Sequence, residues 1–101
     1  MKDNKATLVI NAILNKENMA ELPQYMGAIG PIFMKNGGTP VGRYKGIEQL
    51  AGEQGPEIVS IFDFPSAEVI KAMYDSEEFK ALADLRGRVF SKLNLTICNG
   101  I

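Results

Sequence analysis

Apolar residues along this chain follow two spacings, one near 2 and one near 3.6, and the switches between them give the order of elements. Residues 6–14, ATLVINAIL, are apolar at nearly every position and rich in β-branched side chains, the pattern of a strand covered on both faces. Asn11 interrupts that run and must find a partner or face a cavity. Residues 15–36 turn helical. Asn15 and Asn18 are both suitable N-caps, and Pro23 suits a first turn, so the regular helix starts near Leu22 or Pro23. Leu22, Tyr25, Met26, Ile29, Ile32 and Phe33 form its apolar stripe. Gly27, Gly30 and Pro31 weaken its middle, and Pro31 is expected to bend the axis. Gly37 then supplies a left-handed cap.

The second strand falls within residues 39–50, with Val41, Arg43, Lys45 and Ile47 on one face and Gly42, Tyr44 and Gly46 on the other. Its two glycines around Tyr44 mark a bulge or a close backbone approach. The segment AGEQGP is turn chemistry and leads into a third strand, EIVSIFDF, whose polar interior positions are Ser60 and Asp63. Pro65 ends that strand and Ser66 caps the next helix, which buries Val69, Ile70 and Met73. Asp75 with Glu78 reads as a second start signal, so this helix is split, and Phe79, Leu82, Leu85 and Val89 line its second part. Residues 92–98, KLNLTIC, alternate as a fourth strand.

The order β-α-β-β-α-β folds as a ferredoxin-like α+β unit, a four-stranded antiparallel sheet with both helical regions on one face. The other face would carry bare Val, Ile and Leu. A surface of that kind usually marks an interface, and a second copy packed sheet to sheet would cover it. A homodimer is therefore expected.

Length and composition narrow the picture further. The chain has 101 residues, enough for one domain. Eleven basic and twelve acidic residues leave a net charge of -1, which gives no electrostatic reason to expect nucleic acid. Cys98 is the only cysteine, so no internal disulfide forms, and a buried, inert thiol in a reducing cytoplasm is the expectation. The apolar runs are too short for a membrane span or a secretion signal.

The stretch 64–86 carries a resemblance. Phe64-Pro65-Ser66, Tyr74, Ser76, Glu78-Phe79 and Leu85-Arg86, with Tyr25 and Gly37-Gly38 earlier in the chain, resemble the signature of the domain of unknown function 1330 family. The resemblance covers nearly the whole chain and implies a dimeric α+β barrel. It implies no particular reaction. Pro23, Gly27, Gly30 and Pro31 depart from the common pattern, as does the long connection between the second and third strands.

Candidate chemistry is sparse. Without histidine, the commonest general base and metal ligand are missing, and no phosphate loop or nucleophile motif is present. No cofactor is called for. The polar residues set within apolar elements are Asn11, Tyr44, Asp63, Tyr74 and Arg86, and these are the candidate ligand-binding set. Arg86 suits a bidentate contact with a carboxylate or carbonyl, although an ion pair with Asp84 or Asp63, or plain exposure, is the commoner role for such a residue. Asp63 suits a base or a helix cap. Tyr74 suits a cavity wall or ordinary core packing. Asn11 would line a cavity between sheet and helices, or bond across a dimer.

Three functions fit. The first is a small homodimer that binds a small organic molecule between sheet and helices. The second is a cofactor-independent enzyme, such as the monooxygenases, isomerases and decarboxylation catalysts among relatives of the barrel, an argument from fold alone. The third is an interaction module with no small ligand.

Overall fold

The computed structural model describes residues 5–101. The elements run β1 (Ala6–Leu14), a 3₁₀ segment (Lys16–Glu21), α1 (Leu22–Lys35), β2 (Thr39–Lys45), β3 (Ile58–Phe64), α2 (Ala67–Tyr74), α3 (Glu77–Lys80), α4 (Ala83–Val89) and β4 (Phe90–Cys98). The four strands form one antiparallel sheet in the order β2-β3-β1-β4, the ferredoxin-like arrangement.

Strand register decides which side chains meet the helices. Leu8 lies opposite Phe62, Ile10 opposite Ser60 and Ala12 opposite Ile58, and across the other ladder Ile10 faces Leu95. These residues point toward the helix layer, where Leu8, Phe64, Phe33, Ile29, Ile70 and Met73 share one buried cluster. Phe33 anchors α1 on the sheet by edge-to-face contacts with Phe62 at 4.9 Å and Phe64 at 5.8 Å. The alternate positions Val9, Ile13, Val59 and Ile61 are half-buried on the opposite face, which no element among the described residues covers. The near-continuous apolar run of β1 thus has one covered face and one open face. The open surface is apolar at Val9, Ile13, Val59 and Ile61, with Thr7, Asn11 and Asp63 as its polar positions on β1 and β3. On β4 it turns polar, through Lys92, Asn94 and Thr96.

The helix start signals work with one shift. Ser66 caps α2 by accepting from the Val69 N–H at 3.2 Å. The second cap belongs to Ser76, which accepts from the Phe79 N–H, while Asp75 ends α2; the acidic residue one position earlier does not reach back. The chain then breaks again at Ala81 and Leu82, so the second helical region has three pieces. Pro31 is held inside α1, with Gly27 at the fourth position before it, where the proline ring crowds a carbonyl.

Two glycines close the α1–β2 corner. Gly37 takes the left-handed conformation, φ 85°. At Gly38 a β-carbon would stand 2.8 Å from the Phe64 ring and 2.9 Å from the Phe33 carbonyl oxygen. In β2 the ladder slips between Pro40 and Gly42, leaving Val41 as a bulge, and the Tyr44 ring folds over Gly42. The strand ends at Lys45, so Ile47 lies beyond it, in a loop. Cys98, expected in the core, is half-buried at the end of β4 and shares the open face with Thr7.

Candidate functional site

Small residues facing each other leave a chamber between α1 and the sheet. Gly30 on α1 and Ala12 and Ser60 on the strands line it, and a β-carbon built at Gly30 would meet nothing within 4 Å. The volume is about 370 Å³. Tyr25, Met26, Ile29, Phe33, Phe62 and Phe90 supply its apolar walls, and Ser60 and Arg43 its polar ones. Burial pushes the Tyr25 phenol above its ordinary value, while the neighbouring Arg86 charge pulls it back. At neutral pH this phenol is protonated and can donate.

A second, wider space of about 940 Å³ runs over the edge strand β4, below α2 and α4. Phe79, Phe90, Leu93 and Leu95 line both spaces and form the partition between them. Arg86 belongs to this outer groove. Its guanidinium donates to the Phe79 carbonyl at 3.0 Å and 3.4 Å, lies 4.1 Å from the centre of the Phe79 ring and 5.9 Å from that of Tyr25. Both arms of the guanidinium fork therefore reach one backbone carbonyl of the same chain, an acceptor that neither the ligand-binding nor the ion-pair expectation included. Neither Asp84 nor Asp63 pairs with it, and no other acid among the described residues does.

The candidate set read from sequence is divided by the fold. Asn11, Tyr74 and Arg86 line the outer groove. Tyr74 is exposed at the end of α2, its ring 5.2 Å from that of Phe79. Asn11 pairs in register with Asn94 on the open sheet face, so it reaches the groove only over the sheet edge and does not line the chamber. Tyr44 and Asp63 line neither space. Tyr44 is 57% exposed on the open face. Asp63 accepts from Thr7 Oγ1 at 2.7 Å and pairs with Lys5 at 3.5 Å, and the helix cap that it might have formed belongs to Ser66. Strand alternation explains both placements: Asp63 and Tyr44 point away from the helices, whereas Ser60, three positions before Asp63, points toward them. Tyr25, Ser60, Phe79 and Phe90 are the lining residues that the candidate set lacked. Tyr25, Ser60 and Phe79 each had a signal, an apolar stripe or a polar residue in an apolar strand, but none that distinguishes cavity wall from filled core, and Phe90 fell between the last helix stripe and the fourth strand.

Residues 6–101 match the family model described as Domain of unknown function (DUF1330). The chain belongs to this family. No curated protein matches it. Among solved structures, a protein of unknown function from Rhodopseudomonas palustris superposes on this DUF1330 chain with a TM-score of 0.81 at 17% identity, over 99% of this chain and 85% of that one. A dabb family protein with a ferredoxin-like fold from Mesorhizobium loti gives 0.69 at 11% identity, over 96% and 97%. A dimeric protein of unknown function and ferredoxin-like fold from Bacteroides fragilis gives 0.63 at 11%, over 96% and 97%. Likeness at such identities establishes the α+β ferredoxin-like fold of this family member and no chemistry.

Proposed function

We propose that this protein is a cytoplasmic homodimer that binds a small organic molecule in the chamber between α1 and the sheet. The observation that carries the reading is the chamber itself. Its volume of about 370 Å³ and its apolar walls with a few polar groups match small-molecule sites, which span roughly 300–1,000 Å³.

The dimer reading draws on the open sheet face. Val9, Ile13, Val59 and Ile61 lie together there, and a second copy laid sheet to sheet would remove them from water. The loop between β2 and β3 adds Ile47 at 91% and Leu50 at 88% exposure, apolar surface that a lone protomer leaves wet. A structural neighbour of the same fold is described as dimeric.

Native mass spectrometry of protein purified without added ligand tests both parts. A dimer with excess mass that is released on denaturation is expected, and Met26→Trp, which adds bulk to the chamber wall, should abolish the excess mass without changing the dimer. A monomer would overturn the assembly. Excess mass unchanged by Met26→Trp would overturn the chamber as its site.

A further inference from the structure

The outer groove has a chemistry of its own, independent of the chamber reading. Its charged liners on the helix side of the sheet are Lys71 and Arg86 against Asp75, while Lys92 lies on the open face of β4. Arg86 is the half-buried one among them, and no carboxylate neutralises it among the described residues. The Phe79 carbonyl is a neutral acceptor, and it uses part of a guanidinium that carries five N–H donors. Two ring faces shield the cation further. A cation removed from water in this way and left without an acid raises the local potential and favours an incoming anion. The Phe79 contacts hold the guanidinium plane in place, so an anion would meet a preset donor array.

The rest of the groove says what should be attached to that anion. Ile70, Met73, Phe79, Phe90 and Leu95 make its inner wall apolar, with Tyr74 at the rim. One guanidinium beside such a wall suits a monoanionic head on an apolar body. A phosphate would call for more converging donors than this groove presents. We infer that the groove between α2, α4 and the edge strand β4 is a binding site for apolar organic acids, with the carboxylate seated on Arg86 and the hydrocarbon part against Phe79, Phe90 and Leu95.

The test compares acids with their neutral amides on the full chain: 2-naphthoate with 2-naphthamide, phenylacetate with phenylacetamide, and octanoate with octanamide, followed by NMR titration. At least one acid should bind about tenfold more tightly than its amide, the difference that one charge-assisted hydrogen bond supplies. The shifts should centre on the backbone amides of residues 79–86 and on the Arg86 Nε–H. Arg86→Met should erase the preference for acid, and Met26→Trp should leave it intact. The acid–amide comparison needs no variant, so it stands even if Arg86→Met fails to fold. Amides that bind as tightly as acids, shifts confined to α1, acid binding lost only in Met26→Trp, or no binding by any probe would each overturn the assignment. An acid preference that survives Met26→Trp supports it whether or not the chamber holds a ligand.

Discussion

The guanidinium of Arg86 stacks 4.1 Å from the centre of the Phe79 ring and also donates to the Phe79 backbone carbonyl. One residue of α4 thereby grips both the side chain and the backbone of α3. The break at Ala81 and Leu82 lies between them, so this clasp fixes the angle at which the last helix returns toward β4. Phe79 itself is 3% exposed and lines both spaces of the site. The clasp therefore links the stability of the helix layer to the shape of the partition.

Arg86→Lys should show this. Lysine keeps the charge and loses the planar fork and its stacking, so a loss of about 1–2 kcal/mol is expected from one charge-assisted bond and one cation–π contact. Urea unfolding measures it. A midpoint equal to that of the parent protein would mean that the clasp is incidental.

The open sheet face supplies a second prediction. Val9 and Ile61 are register partners on it, and Ile61→Asp would put a charge in the centre of a sheet-to-sheet contact. Light scattering should then report a monomer, with the far-ultraviolet circular dichroism of the fold retained. A variant that stays dimeric would place the interface elsewhere.

Gly38→Ala should destabilise the protein by roughly 1–3 kcal/mol, as overpacking does where the neighbours cannot yield. The added methyl would press on the Phe64 ring and on the Phe33 carbonyl, which is backbone and accepts from the Gly38 N–H at 2.8 Å. Thermal unfolding checks this, with exposed Gly100→Ala, whose β-carbon meets nothing within 4 Å, as the neutral control.

Glu57 predicts a pH dependence. Its carboxylate accepts from the Leu14 N–H at 2.8 Å and from Lys16 at 3.0 Å, and these bonds hold its pKa below the ordinary 4.5. A depressed folded value means that the contribution is fully present above the unfolded pKa and is lost as pH falls through the folded one. Stability should therefore drop as the pH goes below that ordinary value, and Glu57→Gln should flatten this part of the profile. Unfolding midpoints across the acid range decide it. An unchanged slope in the variant would show that other carboxylates set it.

Spacing, capping and turn chemistry act over a few residues, so the element order, the start of α1 near Leu22, the Ser66 and Gly37 caps and the antiparallel sheet were legible in the chain alone. The sequence also marked Arg86 as a residue ready for a bidentate contact. What that contact would be depended on the tertiary structure, since Phe79 lies on another helix segment and its carbonyl, at a break that the apolar stripe does not reveal, accepts from Arg86 as well as from the Leu82 N–H. Likewise, Asp63 and Tyr44 looked like site residues until strand register turned them to the open face, and Asn11 went with them. The chamber was hidden for a related reason. Gly30, Ala12 and Ser60 are far apart in the chain, and a void forms only where small side chains from separate elements meet. Local signals set where elements begin and end. Which faces meet, and whether they fill the space between them, depends on contacts across the whole fold.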